Sequence, residues 1–189
     1  FLAKYQGGES ELSRKIIHIL VGNWVIITPV FTELWALVLV PFTFIIVNSL
    51  SLKYNFISAM EREDDSLGTV YYALSLFILS ALGFLLDWKS LPFIGVLTMA
   101  YGDGLAAIIG QKWGKAKPFP FAGDKSLLGT IIVAVTSFIV TSTVLSNINQ
   151  GAQGRNLSLY IILLIGLVNA VLSAYIELTG KKGSDNLTL

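Results

Sequence analysis

A single carboxylate, Asp103, interrupts an apolar run that is otherwise free of charge from residue 90 to residue 111. A carboxylate inside a membrane-spanning segment is costly to bury and is by default a functional candidate. The flanking Gly102 and Gly104 permit a break in the helix or close approach by a ligand. A divalent cation that bridges Asp103 to phosphate groups would offset the cost of burial. The alternative is an ion pair with a lysine or arginine of another helix.

A second cluster, Arg14-Lys15-Ile16-Ile17-His18, combines two cations with the only histidine of the chain. On a helix, positions three and four apart share a face, so Arg14, Lys15 and His18 lie together. Two fixed cations beside an imidazole suit a polyphosphate. The alternative is that the cations anchor the helix at the membrane surface while His18 is hydrogen-bonded between helices. One histidine excludes a multi-histidine metal site.

Basic and small residues alternate in the segment 110–129. Glycine amides can approach an anion closely, and Lys125-Ser126 falls at the expected N-terminus of a helix, where free N–H groups bind phosphate. The spacing does not match a Walker A loop. The basic loop could instead contact anionic lipid, and Gly104, Gly110 and Gly114 could be small-residue contacts between helices. The candidate phosphate-binding residues of this segment are Gly110, Gly114, Lys115, Lys117, Lys125, Ser126 and Gly129, and Gly102 beside Asp103 is a further candidate.

Further acidic and amide groups lie near the ends of the apolar runs. Glu177 closes the last run, and Asp185 and Asn186 follow it as possible oxygen ligands or caps. Glu63 belongs to an acidic stretch, 61–65, that is more typical of a solvated loop, although a role for Glu63 in binding a cation is left open. Each of these residues is a weak candidate when taken alone.

The composition identifies the elements that must position these groups. The chain has 189 residues, of which 54% are hydrophobic and only 13% are charged, whereas ordinary globular proteins carry roughly 25% charged residues. This excludes a water-soluble fold, and the 12% aromatic content excludes disorder. The absence of cysteine excludes disulfides, thiolate metal sites and a cysteine nucleophile. We therefore predict an all-α, polytopic integral membrane protein.

About 20 apolar residues are needed to cross a bilayer, and the chain offers six such runs. The predicted spans are 16–31, 34–51, 68–86, 90–110, 128–146 and 159–178. Eleven of the 13 Lys and Arg residues fall on one side of this arrangement, and only Lys89 and Arg155 fall on the other. By the positive-inside rule both termini are cytoplasmic. Residues 1–189 are predicted to form one membrane-embedded catalytic domain, and the start at Phe1 rather than Met leaves room for residues before it.

Several of these motifs occur together and in a fixed order. The motifs are Arg14-Lys15-x-x-His18, Gly102-Asp103-x-x-Ala106-x-x-x-Gly110-x-x-x-Gly114, Lys125-Ser126-x-x-Gly129 and Glu177…Asp185-Asn186. In this the chain resembles the dolichol kinase, phytol kinase and yeast-type diacylglycerol kinase family, which is related to the phosphatidate cytidylyltransferases. One position departs from the pattern. Leu128 stands where dolichol kinase-like members are expected to carry Glu and phytol kinase-like members a small residue.

The resemblance implies a CTP-dependent kinase that phosphorylates a membrane lipid alcohol at the cytoplasmic face. Mg²⁺ would be held by Asp103 with Glu177 or Asp185, while Lys125, Arg14 and Lys15 would neutralise charge on the transferred group. His18 or Asp103 would accept the hydroxyl proton. The expected partners are a lipid and a nucleoside triphosphate, with no nucleic acid. The alternatives are a cytidylyltransferase acting on a lipid phosphate and, less favoured, a small transporter.

Overall fold

The computed structural model describes residues 2–54, 67–118, 122–123, 125–149, 157–180 and 185–188. Within these ranges every regular element is helical, as the sequence predicts. The elements are α1 (Leu2–Gly22), α2 (Trp24–Ile27), a 3₁₀ turn (Thr28–Val30), α3 (Leu34–Tyr54), α4 (Gly68–Leu85), α5 (Ser90–Leu97), a π-helical turn (Thr98–Asp103), α6 (Gly104–Trp113), α7 (Leu127–Asn149), α8 (Leu159–Thr179) and α9 (Asp185–Thr188).

Five stretches of helix in this part of the chain are long and apolar enough to cross a membrane. They are α3, α4, the continuous stretch Ser90–Trp113, residues 127–147 of α7, and α8. Their outward faces are apolar, and most of α8 presents exposed Leu, Ile and Val side chains. A surface of this kind is typical of a protein whose helices face lipid rather than water. Five of the six predicted spans are therefore confirmed as helices of the required length and composition.

The remaining predicted span, 16–31, is not one regular helix. Helix α1 ends at Gly22, and the chain continues through α2 into the 3₁₀ turn. The side-chain amide of Asn23 donates to the carbonyl of Ile19 at 3.0 Å, so it competes with the backbone for that acceptor. Pro29 lacks an N–H and cannot extend a helix from the preceding turn. A sixth membrane span therefore stays a prediction.

Neighbouring helices run antiparallel. The side chain of Asn48, late in α3, bonds Thr69, early in α4, while Phe42 and Phe77 meet further along the same pair. Helix α1 packs against the stretch 99–104 in the same antiparallel sense. A core of Val25, Tyr72, Leu76, Val96 and Met99 joins α2, α4 and the segment containing α5 and the π-helical turn. As a result the C-terminal ends of α3, α6 and α8 meet the N-terminal ends of α4 and α7 at one end of the bundle, here called the basic end.

The π-helical turn Thr98–Asp103 lies inside the helical stretch that carries the key carboxylate. Gly102 and Gly104 do not break the helix there, because α6 continues directly after Asp103. One residue more per turn shifts the face that the following side chains present, and such turns are frequent at functional sites. The turn contacts both α1 and α7, so Asp103 lies between helices and not on the lipid-facing surface.

We expect the basic end of the bundle to face the cytoplasm. Lys53 and Lys117 lie at this end and Lys89 at the other, and the chain has no native cysteine to interfere with labelling. Single cysteines introduced at Lys53 and Lys117 should resist impermeant thiol reagents in intact cells, and one at Lys89 should react. The reverse labelling pattern would contradict this orientation.

Candidate active site

The centre of the site is a buried cluster of Lys15, His18 and Asp103. The ammonium nitrogen of Lys15 donates to Oδ2 of Asp103 at 2.5 Å, and Nε2 of His18 lies 3.5 Å from the same oxygen. The three residues are only 5–6% exposed. The sequence allowed either a metal or an ion pair for Asp103. The structure shows the ion pair, and identifies Lys15 as its partner.

The backbone around this cluster is held by hydrogen bonds from a second helix. The hydroxyl of Tyr72, on α4, donates to the carbonyl of His18 at 2.6 Å. The Tyr72 ring also lies over the imidazole, with ring centroids 3.8 Å apart. Gly22 lets α1 approach the π-helical turn and α4 closely, because a Cβ there would meet the side chain of Ala100 and the Tyr72 hydroxyl. The position of His18 is thereby fixed from two sides.

The contacts of His18 indicate where its proton lies. Nε2 is 3.4 Å from the carbonyl oxygen of Met99 and 3.5 Å from the Asp103 carboxylate, and both are acceptors. Nε2 therefore carries hydrogen, and in the neutral ring Nδ1 keeps a lone pair. His18 can accept a proton at Nδ1 while Asp103 stabilises the imidazolium that results.

A second ion pair lies at the same end of the bundle. Lys125, just before α7, lies 3.3 Å from Oε1 of Glu177 at the end of α8 and also donates to the Glu177 carbonyl. The sequence assigned Lys125 to phosphate and Glu177 to metal, and the structure brings the two side chains to each other. Each buried carboxylate thus has its own lysine, which is the usual way such charges are accommodated.

The glycines of α6 pack this helix against the start of α7. A Cβ at Gly110 would lie 3.0 Å from Ser126 Oγ, and one at Gly114 would overlap the same side chain. Ser126 Oγ in turn accepts from the amide of Gly129 at 3.1 Å, so it caps α7. Gly110, Gly114 and Gly129 are therefore packing residues in this structure. For Gly110 and Gly114 this is the alternative that the sequence left open. A role for them in nucleotide binding stays a prediction.

The other predicted residues differ in how deeply they are buried. Arg14 is buried on α1, Gly102 is buried in the π-helical turn, and Lys115 and Lys117 are exposed beyond α6. Asn186 is 1% exposed, and its amide donates to the Gly68 carbonyl at 2.9 Å, so α9 docks against α4. Glu63 and the side chain of Asp185 lie outside the described residues.

Two clefts flank α1 at the cluster. The first lies between α1, α3 and α4 and is lined by Arg14 and His18, by the polar side chains of Asn48, Thr69 and Asn186, and by apolar side chains. The second, of about 370 Å³, lies between α1 and α6, with Lys15 on its floor and Lys112 and Trp113 at its rim. The cluster therefore separates a cleft that is mainly apolar from one that is basic and open.

No group of three or more histidine, aspartate and glutamate side chains comes together within the described part of the chain. This does not exclude Mg²⁺, which usually binds through one or two carboxylates together with substrate phosphates. Asp103 meets that requirement. The sequence predicts that Mg²⁺ is held by Asp103 together with Glu177 or Asp185. In the structure Asp103 pairs with Lys15 and Glu177 pairs with Lys125, and the predicted ligand set stays a prediction.

Charge-based prediction from the sequence missed two buried polar residues near the cluster, Tyr72 and Asn48. Both are neutral and lie in apolar runs, so they do not interrupt a charge-free stretch. A polar side chain within a membrane helix is itself a signal, because it needs a hydrogen-bond partner from another helix. That signal was present at both positions.

The described helices form a bundle that includes five helices long enough to cross a membrane and a buried cluster of Lys15, Asp103 and His18. These features define a polytopic membrane protein with ionisable groups inside the bundle. In such proteins, ionisable groups within the membrane are by default functional. The chain is 33% identical over 188 residues to the phytol kinase of Synechocystis sp., an alignment that covers 95% of this chain and 75% of that protein. The chain belongs to the phytol kinase family.

Plant relatives support the same assignment. The chain is 38% identical over 150 residues to a probable phytol kinase 1, chloroplastic, of Glycine max, covering 70% of this chain and 48% of that protein. It is 32% identical over 154 residues to phytol kinase 1, chloroplastic, of Arabidopsis thaliana, covering 72% and 49%. The chain spans about half the length of these plant relatives. No protein-family model matches the chain, and no solved structure matches it.

Proposed function

We propose that this chain is a membrane kinase that transfers the γ-phosphoryl group of CTP to the hydroxyl of a lipid alcohol, with phytol as the first candidate. The observation that carries the proposal is the buried cluster of Lys15, His18 and Asp103 at the basic end of an apolar bundle. Burying three ionisable groups among membrane helices is costly unless they have a function. The family assignment gives the class of reaction, because the relatives are named phytol kinases.

In the transfer step, the alcohol oxygen forms a bond to the γ-phosphorus and the bond from that phosphorus to the bridging β–γ oxygen breaks. CDP leaves, and the hydroxyl proton passes to the protein. His18 Nδ1 is one acceptor for this proton and Asp103 is the other. Protein groups in phosphoryl transfer act mainly by positioning and by neutralising charge. Lys15 and Asp103 supply charged groups for this task.

The nucleotide is proposed to lie in the cleft between α1 and α6. Lys15 on its floor reaches the cluster, and Lys112 at its rim lies over the Trp113 ring, 4.7 Å from the ring centroid. The triphosphate would draw Lys15 from Asp103. Lys115 and Lys117 follow the C-terminal end of α6, and Lys125 precedes the N-terminal end of α7. An exposed tryptophan offers a face on which a base can stack.

Mg²⁺ is the proposed cofactor, held by Asp103 together with nucleotide phosphates, with Glu177 and Asp185 as further candidates. When bound, the ion would act as a Lewis acid that neutralises negative charge on the phosphate groups. Movement of Lys15 from the carboxylate to the phosphate would leave Asp103 free to act as a ligand. Lys15 would then pair with Asp103 when the nucleotide is absent and with a phosphate group when the nucleotide is bound.

The proposed location is an integral membrane position with the basic end in the cytoplasm, by the positive-inside rule. The plant relatives are named chloroplastic, and that location is theirs.

Product identity tests the proposed reaction. Purified protein would be incubated with CTP and a panel of lipid alcohols and lipid phosphates. We expect CDP and a phosphorylated alcohol. Pyrophosphate with a CDP-lipid, formed only from the lipid phosphates, would instead identify a cytidylyltransferase and overturn the proposal.

Lys125→Ala should weaken use of the nucleotide by about 2 kcal/mol, the scale of a hydrogen bond to a charged group. The measurement is the nucleotide KM and kcat/KM of purified protein. The matched control is Lys53→Ala, because Lys53 is an exposed lysine at the same end of the bundle. Equal and small effects of the two substitutions would indicate that the basic end serves only to anchor the protein.

A further inference from the structure

Asn48, on α3, is a buried polar residue for which neither the sequence motifs nor the proposed reaction has a use. Its side chain is 5% exposed. The amide nitrogen donates to the carbonyl of Thr69 at 3.0 Å, which fixes which end of the amide is nitrogen and which is oxygen. Among the residues that the structure describes, the oxygen Oδ1 has no hydrogen-bond partner. A buried acceptor left in this state is costly and needs an explanation.

The cleft beside Asn48 offers an explanation for this buried acceptor. Asn48 lines the cleft between α1, α3 and α4, and the same cleft is lined by Arg14 and His18 of the candidate active site. The cleft is narrow, with about 30 Å³ of space. A group the size of a water molecule or a hydroxyl needs about 10–15 Å³ measured in this way. The cleft as a whole therefore has room for a group of this size, and Asn48 is one of the residues that line it.

The cleft continues along the helices as an apolar groove. Val21, Phe44 and Leu76 line both the cleft and a wider groove of about 200 Å³. The groove is completed by Trp24, Val40, Pro41 and the outward-facing Leu20. Because Leu20 lies on the exposed surface of α1, the groove opens towards the bilayer. An apolar chain lying there would have its end group beside Asn48 and His18.

We propose that this cleft between α1, α3 and α4 binds the lipid alcohol, with Oδ1 of Asn48 accepting a hydrogen bond from the substrate hydroxyl and the adjoining groove holding the hydrocarbon chain. The proposal rests on the proposed kinase function and names where its acceptor substrate lies. Asn48 is a positioning residue for the bound alcohol. The hydroxyl keeps its proton until it attacks the γ-phosphorus. Loss of the Asn48 Oδ1 acceptor should therefore weaken binding of the alcohol.

Asn48→Ala tests this assignment by separating the two substrates. We expect the KM for the alcohol to rise by about fivefold to tenfold, which is the effect expected from the loss of one hydrogen bond. The KM for the nucleotide should stay unchanged. Asn169→Ala is the matched control, because Asn169 is also a helix asparagine with a hydrogen bond to a neighbouring helix, at Thr141. An unchanged alcohol KM in folded Asn48→Ala, or equal changes for both substrates, would overturn the role of Asn48.

A second measurement uses the unaltered chain and needs neither turnover nor a stable variant. A long-chain alcohol with a diazirine near its hydroxyl end would be photolysed with the purified protein, and the labelled peptides mapped. We expect labels within residues 44–48 and 69–76, and unlabelled phytol should compete for them. Labels confined to the outer face of α8 would overturn the proposed cleft, even if the kinase is active. Labels in the cleft with no phosphorylated product would support the cleft while contradicting the kinase function.

Discussion

Asp103→Asn is expected to abolish nearly all lipid alcohol phosphorylation. The substitution keeps the volume of the side chain and removes its charge, so it removes the proposed metal ligand and the partner of Lys15. Loss of one preorganised electrostatic contact in an active site typically costs about a hundredfold to a thousandfold in rate. The measurement is kcat in detergent across a range of Mg²⁺ concentrations, and both the activity and its dependence on Mg²⁺ should be lost.

The control is Asp87→Asn, because Asp87 is an exposed aspartate in the turn between α4 and α5, at the opposite end of the bundle. We expect its activity to equal that of the unaltered protein. Robust Mg²⁺-dependent turnover in folded Asp103→Asn would contradict the proposed mechanism. Glu177 and Asp185 would then be the remaining candidates for the metal site.

Lys15→Met is expected to destabilise the protein strongly. Asp103 is fully surrounded by the bundle, and Lys15 is the partner at 2.5 Å. Removing one member of a buried ion pair leaves an uncompensated charge and costs about 3–5 kcal/mol. The unfolding midpoint in detergent should fall well below that of Lys89→Met, in which the altered lysine is exposed at the other end.

The double variant Lys15→Met/Asp103→Asn separates stability from catalysis. With neither charge present, the stability lost in Lys15→Met should largely return, because no charge is left buried without a partner. The activity should not return, because both proposed functions of these side chains are gone. Recovery of activity together with stability would show that the pair is purely structural.

Much of the architecture could be predicted from apolar runs and charge. Bilayer thickness fixes the length of a spanning helix, so runs such as 34–51 and 159–178 had to appear as helices, and they do. The division near Asn23 could not be read from hydropathy, because it depends on one side-chain amide and one proline. The π-helical turn that ends at Asp103 was also not predictable, since flanking glycines are compatible with several backbone geometries.

The identity of the ion pairs required the three-dimensional structure. The sequence placed several cations near Asp103, and the choice of Lys15 follows from antiparallel packing of helices that lie 88 residues apart in sequence. For the same reason Lys125 meets Glu177 across 52 residues. Asn48 and Tyr72 were missed because neutral groups gain their importance from tertiary hydrogen bonds, which charge counting does not register.

The fate of the γ-phosphate of CTP tests the central claim most directly. Purified protein in lipid–detergent micelles would be given CTP labelled at the γ-phosphate, Mg²⁺ and phytol, and the organic phase would be analysed for a labelled lipid phosphate. We predict that the label passes to the lipid in equal amount to the CDP formed, in the unaltered protein and in Asp87→Asn but not in Asp103→Asn. Label that remains in the aqueous phase as pyrophosphate, or transfer that is undiminished in Asp103→Asn, would contradict a kinase whose active site is the buried Lys15–His18–Asp103 cluster.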